Sequence, residues 1–103
     1  MSARLTQLER LLAIDPNDAF CLYGLAMEHA KMQATAMAVE LFDRALSVDP
    51  GMCYAYFHKA KALEAAGLID AACLALGDGL AVARRVGDAK AANEIEGFLD
   101  EIT

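Results

Sequence analysis

Two short stretches of sequence decide the fold: Leu12-Ala13-Ile14-Asp15-Pro16 and Leu46-Ser47-Val48-Asp49-Pro50. They lie 34 positions apart in a chain of 103 residues, and four of their five positions match in kind or identity. Each stretch ends in Asp-Pro, and proline ends a helix because it lacks an amide hydrogen and its ring clashes with the preceding turn. A fixed spacing of this size between helical segments is typical of repeat proteins.

The same offset of 34 relates many other positions along the chain. Large residues mostly stay with large ones and small residues with small ones, which a chance period does not preserve. The chain is therefore expected to repeat one structural unit. The matched sets are Leu8, Phe42 and Leu76; Leu11, Ala45 and Gly79; Leu12, Leu46 and Leu80; Ile14, Val48 and Val82; Leu22 and Tyr56; Ala26 and Ala60; and Ala38 and Ala72.

Within each unit the apolar residues repeat at helical spacing. The clearest stripe consists of Met37, Ala38, Leu41, Phe42, Ala45 and Leu46. Gly67 suits a left-handed position after a helix, and Gly87 followed by Asp88 indicates a helix end and then a new N-cap. The sequence predicts six helices, at about 2–14, 18–32, 35–48, 53–66, 69–85 and 88–102.

This two-helix unit of 34 residues resembles the tetratricopeptide repeat. The matching motif positions are Leu22, Leu25, Ala26, Ala38, Phe42, Ala45 and Pro50 in one unit, and Tyr56, Ala60, Leu63, Ala72, Leu76 and Gly79 in the next. The resemblance implies an all-α fold, a right-handed superhelix of antiparallel helix pairs. It also implies a single domain made of a half-repeat (1–18), two repeats (19–52 and 53–86) and a capping helix (87–103).

Three positions depart from the family pattern. Lys59 stands where the family usually has Leu, His29 where Tyr or Leu is common, and Arg84 where Pro would close the unit. The last departure predicts that the fifth helix continues through Arg85 and Val86.

Composition narrows the possible partners and the compartment. The formal net charge is −6, so the surface should repel nucleic acid and anionic membranes. No apolar run is long enough to span a bilayer, and no signal segment begins the sequence. Three cysteines without a CxxC pair are expected to be small buried hydrophobes in a reducing compartment. These features predict a cytoplasmic protein.

Candidate catalytic residues are few. His29 and His58 have no metal-binding companion at helical or turn spacing, and Cys53 and His58 should lie on different faces of one helix. No phosphate-binding glycine loop or metalloprotease motif is present. The sequence therefore predicts no enzyme, no metal and no cofactor, with Cys53 or His58 as a remote catalytic alternative.

In the family that the chain resembles, the first helix of each unit lines a concave groove that receives a peptide or a partner helix. The resemblance places eight residues there: Phe20, Tyr23, Met27, Lys31, Tyr54, Phe57, His58 and Lys61. A subfamily that clamps acidic chaperone C-termini has lysines, asparagines and an arginine where this chain has Tyr23, Gly24, Met27, Tyr54 and His58, so that function is not expected.

Two functions stay open. One is a non-catalytic scaffold that binds a protein or peptide in this groove, with Lys31 and Lys61 favouring neutral or acidic ligands. The alternative is a homodimer or assembly module that uses the same apolar surface, which a mean hydropathy of +0.30 favours. An open end of the helix stack could serve the same purpose.

Overall fold

The computed structural model describes residues 3–103, which form six α-helices and no β-strand. This confirms the all-α prediction, and the helix ends agree with the predicted ones to within one residue. The predicted start of the first helix at residue 2 lies outside the described residues. The helices are α1 (Ala3–Ile14), α2 (Ala19–Lys31), α3 (Thr35–Val48), α4 (Cys53–Ala65), α5 (Ile69–Val86) and α6 (Ala89–Ile102).

The two Asp-Pro stretches form the same joint twice. A carboxylate oxygen of Asp15 accepts a hydrogen bond from the amide of Asn17 at 3.1 Å, and one of Asp49 accepts from the amide of Gly51 at 3.0 Å. Aspartate favours turns because its side chain bonds to the backbone two residues later. The repeat in the sequence is therefore also a repeat in backbone hydrogen bonding.

Glycine in the left-handed conformation ends two of the helices, as predicted for Gly67, and Gly87 lies at a predicted helix end. Gly67 follows α4 with φ 82°, and Gly87 follows α5 with φ 76°. Asp88 then caps α6 by accepting a hydrogen bond from the amide of Ala91 at 3.0 Å. After α2 the same place, 34 positions before Gly67, is taken by Gln33 with φ 60°. A residue with a side chain is strained in this conformation. Ending the first helix therefore costs more conformational free energy in the first unit, at Gln33, than in the second, at Gly67.

Short connections make each helix antiparallel to the next, so α2, α4 and α6 run parallel. Helix α2 contacts α4, and α4 contacts α6, whereas α3 and α5 share no contact along their described lengths. The stack is therefore curved, with α2, α4 and α6 on its inner side. Within residues 3–103, no helix combines the length and apolar character needed to span a bilayer.

The core has two clusters, one centred on Phe42 and the other on Leu76, and Tyr56 contacts both. The small residues expected at the helix contacts are buried, and Gly79 lies in close contact with Tyr56. A Cβ atom added to Gly79 would lie 2.6 Å from the Cβ of Tyr56, too close for any real pair of such atoms. Glycine at this position therefore sets the distance between α4 and α5.

The surroundings of three side chains, Met37, Cys73 and Lys59, could not be predicted from the sequence pattern. Met37 is exposed because it stands at the edge of its stripe, next to the buried Ala38. Cys73 is only half-buried, so the expectation of buried cysteines is right for Cys21 and Cys53 alone. Lys59, which replaces an apolar residue of the family pattern, forms an ion pair with Asp43 at 2.7 Å.

Candidate functional site

The eight predicted groove residues lie on the inner side of α2 and α4, and seven of them line open depressions. The largest, about 590 Å³, lies between α1 and α2 and includes Phe20, Tyr23, Met27 and Lys31. The second, about 300 Å³, lies where α2, α4 and α6 begin and adds Tyr54. The third, about 240 Å³, lies between the C-terminal halves of α2 and α4. Its lining residues are Met27, Ala30, Lys31, His58, Lys61, Ala62 and Ala65.

A connected set of rings crosses the inner side, and we call it the aromatic strip: Tyr23, Tyr54, Phe57, His58 and Phe98. The ring centroids of Tyr23 and His58 are 5.9 Å apart, those of His58 and Phe57 5.3 Å, and those of Phe57 and Phe98 5.9 Å, all edge to face. Edge-to-face contacts fix ring orientation as well as burying area. The strip therefore joins α2, α4 and α6 as one preformed surface.

The strip is anchored to the core at one end and open to solvent elsewhere. The ring of Tyr23 packs edge to face on buried Phe42 at 6.0 Å. Tyr54, Phe57, His58 and Phe98 are half-buried. Phe20 lies outside the ring contacts and is 78% exposed, so its ring is available for contact.

The two groove lysines have different environments. Lys31 pairs with Glu28 at 3.5 Å, and Arg4 of α1 pairs with the same carboxylate at 3.3 Å. The Glu28 side chain is nearly buried, and its pair with Arg4 joins α1 to α2, whereas its pair with Lys31 lies within α2. Lys61 instead places its Nζ atom 4.8 Å from the ring centre of Phe57 and 5.6 Å from that of Phe98. A cation over aromatic faces at this distance contributes about 0.5–1 kcal/mol at exposed sites.

Burial and neighbouring charges shift the acid–base properties of the strip. Burial lowers the pKa of His58, and the nearby Lys61 lowers it further, while Glu94 opposes both. Burial also raises the pKa of Tyr54, with Glu94 as the next cause, and the pKa of Tyr23. The strip therefore presents a neutral imidazole and neutral phenols at neutral pH.

The two buried thiols, those of Cys21 and Cys53, lie in the walls of the first two depressions. Burial raises the pKa of both Cys21 and Cys53, and Asp18 and Asp88 respectively raise it further. The Cys53 thiol donates to the carbonyl of Gly51 at 3.5 Å. A thiol held in this way is a poor nucleophile, since the thiolate is the reactive form. In residues 3–103, no three His, Cys, Asp or Glu side chains are grouped so that they could hold a metal ion.

Sequence reasoning missed the contribution of α6 to this surface. Phe98 belongs to the predicted capping helix and is absent from the eight predicted groove residues, yet its ring lies against Phe57 and under Lys61. Helix α6 follows an outer helix and so occupies the place of another inner helix. That position in the helix order was the signal that could have identified Phe98.

Comparison with known proteins shows similarity at the level of solved structures. No family model matches the sequence, and no curated protein matches it. A tetratricopeptide repeat domain protein from Salinibacter ruber is 32% identical, covering 85% of this chain and 89% of that one, with a TM-score of 0.77. A protein from Bordetella parapertussis is 27% identical, covering 99% of this chain and 89% of that one, with a TM-score of 0.86. The TPR2B domain of yeast Sti1, solved as a complex with pHsp70, is 22% identical, covering 95% and 78% respectively, with a TM-score of 0.88.

Proposed function

Since this chain belongs to the tetratricopeptide repeat family, we propose that it is a non-catalytic scaffold that binds a peptide or a partner helix of another protein in its concave groove. The groove is the inner side of α2, α4 and α6. Its predicted contact residues are Phe20, Tyr23, Met27, Lys31, Tyr54, Phe57, His58 and Lys61.

The aromatic strip carries this proposal. Rings already held against one another lose little conformational freedom on binding, so their contact area converts efficiently into affinity. Three helices contribute to the strip, and open depressions adjoin it. The fold is shared with the yeast Sti1 domain solved as a complex with pHsp70, which supports the same kind of use here.

The chemistry of the site supports a non-catalytic role. The hydroxyl-bearing side chains in ring contact with His58 are Tyr23 and Tyr54, and burial raises the pKa of both phenols, so neither is an activated nucleophile. The thiol of Cys53 is protonated and bonded to a backbone carbonyl. A nucleophile and its base must lie within hydrogen-bond reach of one another, and these two groups do not form such a pair.

A peptide-display selection tests the proposal. The wild-type protein is used to select peptides from a random library, and each is titrated against the Tyr23→Ala/Phe57→Ala double variant. We expect at least a tenfold loss of affinity, since the two rings provide the central contacts. Leu74→Ala is the matched control, because Leu74 is 72% exposed on the outer helix α5. Equal affinity for all three proteins would contradict the groove assignment.

A second measurement covers the case in which the double variant loses its fold. Amide NMR shifts of the wild-type protein, recorded as a selected peptide is added, should change mainly on the inner side of α2, α4 and α6. Shift changes confined to α3 and α5 would place the peptide on the outer side and overturn the proposal.

Self-association is the second candidate function, and exposed apolar residues at the α1 end favour it. Ile14 is 82% exposed, Phe20 78% and Leu11 47%, and Leu11 and Phe20 line the same depression. Light scattering across a concentration series should show a dimer that Phe20→Ser weakens. A monomer at every concentration would exclude this function.

A further inference from the structure

We propose that the groove ligand carries a side-chain carboxylate, from Asp or Glu, that binds Lys61 while a neighbouring apolar side chain of the ligand contacts the Phe57–Phe98 ring pair. This inference rests on the proposed function and names the chemistry of the partner. It concerns one end of the groove, where Lys61 lines the depression between the C-terminal halves of α2 and α4 and also lies over the adjacent Phe57–Phe98 ring pair.

The charge of Lys61 is available to a ligand. Lys61 belongs to none of the ion pairs among residues 3–103, although Glu64 follows it by three positions on α4. Lys31, the other lysine of the groove, already shares Glu28 with Arg4. Of the two lysines, Lys61 is therefore the one whose charge lacks a carboxylate.

The position of Lys61 favours a combined polar and apolar contact. Its ammonium lies over the rings of Phe57 and Phe98, at 4.8 and 5.6 Å, and so is held in a defined place. A carboxylate that approaches from the solvent side meets this charge beside aromatic carbon, where water screens the interaction less than at a fully exposed site. An apolar side chain next to the carboxylate can then cover the ring edges.

The distribution of acidic residues fixes the end of the groove at which the carboxylate binds. Asp18 lines the depression between α1 and α2, and Asp88 lines the one where the inner helices begin. Both would repel a ligand carboxylate. The depression that contains Lys61 is lined by Lys31 and the neutral His58 and by no Asp or Glu, and the acidic residue that acts on His58, Glu94 of α6, is not part of its lining. Charge complementarity therefore places an acidic ligand residue there.

A side-chain carboxylate fits this site better than the C-terminus of a peptide. Recognition of a chain terminus uses several converging donors, often backbone amides. This site offers Lys61, with alanines and Met27 around it and Lys31 already paired. A single ammonium bordered by apolar surface suits an Asp or Glu within an apolar segment.

The test uses two parallel selections from one random library in which both peptide ends are blocked by fusion. Wild-type protein should enrich Asp or Glu next to a bulky apolar residue. Lys61→Glu should lose at least tenfold affinity for those peptides, and its own selection should enrich Lys or Arg at the same place.

Arg44→Glu, on the outer helix α3, makes the same charge change and should leave affinity and consensus unchanged. Lys61→Met, which keeps an aliphatic chain over the rings, should also bind acidic peptides about tenfold more weakly.

The outcomes separate this inference from the proposed function. If peptides bind and depend on Tyr23 and Phe57, but Lys61→Glu and wild type select the same consensus, the inference is wrong and the groove proposal stands. If no selected peptide depends on Tyr23 and Phe57, both are wrong. If a free C-terminus is needed for enrichment in a second library with that end exposed, the commitment to a side-chain carboxylate is wrong.

Discussion

The helix pairs α2/α3 and α4/α5 follow one sequence pattern but differ in the sizes of the residues at one matched contact. Ala45 is fully buried in the first pair, and its counterpart 34 positions later is Gly79. Tyr56 lies against position 79 in the second pair, and its counterpart 34 positions earlier is Leu22. In the second pair no Cβ fits at position 79, because the Cβ of Tyr56 occupies that space. A shared repeat pattern therefore predicts helix order, while the size of a single residue decides which side chain can pack against it.

The two helix pairs also differ in residue type at three other matched positions. Leu25 corresponds to Lys59, Gln33 to Gly67, and Gly24 to His58. The second pair thus gains an ion pair, an unstrained helix end and an imidazole in the aromatic strip. Replacing a residue in one pair by its counterpart in the other measures what that difference contributes to stability.

The largest expected effect is that of Gly79→Ala. The new methyl group would force α4 and α5 apart, and overpacking of this kind costs about 1–3 kcal/mol even though alanine favours a helix. Chemical denaturation measures the loss. Gly77→Ala is the matched control in the same helix, because nothing lies within 4 Å of a Cβ there. That variant should gain about 0.5–1 kcal/mol from helix propensity, and stabilisation by both changes would contradict the close approach.

Gln33→Gly should stabilise the protein by about 0.5–1 kcal/mol. It places glycine after α2, as Gly67 follows α4, and removes the strain of a side chain at φ 60°. The thermal midpoint would rise accordingly. Gly67→Gln, the reverse exchange, should lower it by a similar amount. No change in either variant would show that the two helix ends are equivalent despite their residues.

Lys59→Leu should have a smaller effect than Gln33→Gly and raise the free energy of unfolding by about 0.5 kcal/mol. It restores the residue type of the first pair and adds apolar area, while the lost ion pair contributes little because Asp43 is half exposed. Asp43→Ala removes the same pair without adding apolar area, and a small loss is expected. If Lys59→Leu instead cost more than about 1 kcal/mol, the ion pair would be the dominant contact there.

The smallest expected effect is the pH dependence that His58 adds to the second pair. Its pKa is below the ordinary value of 6.5 in the folded protein, so the unfolded chain binds the proton more readily. Stability should therefore be complete above pH 6.5 and decline as the pH falls below it. Lys61 and Glu94 are the charged groups that face the ring. His58→Gln should remove this part of the acid sensitivity, and identical pH curves for both proteins would contradict it.

The sequence predicted what depends on local backbone chemistry. Pro16, Pro50, Gly67 and Gly87 end helices for reasons contained within a few residues, and the helix bounds followed from them. Contacts between helices that are distant in sequence were harder to predict. The pairing of Phe57 with Phe98 depends on where α6 lies after the long helix α5. That position is set by packing, and periodicity alone does not encode it.

Candidate site residues were predictable only as positions on a helix face. The spacing of Tyr54, Phe57, His58 and Lys61 places them on one side of α4, and the structure shows that they touch. The sequence did not indicate that Lys31 shares Glu28 with Arg4 while Lys61 lies over rings. Such distinctions depend on partners supplied by α1 and α6.

The contact of Tyr56 with both core clusters has a consequence for cooperativity. In a linear stack, the halves unfold together only if the interface between them is strong relative to the stability of each half. One ring shared by both clusters supplies part of that interface energy. Shortening it to alanine should broaden the denaturation profile and reduce the m-value, as the two halves begin to melt separately.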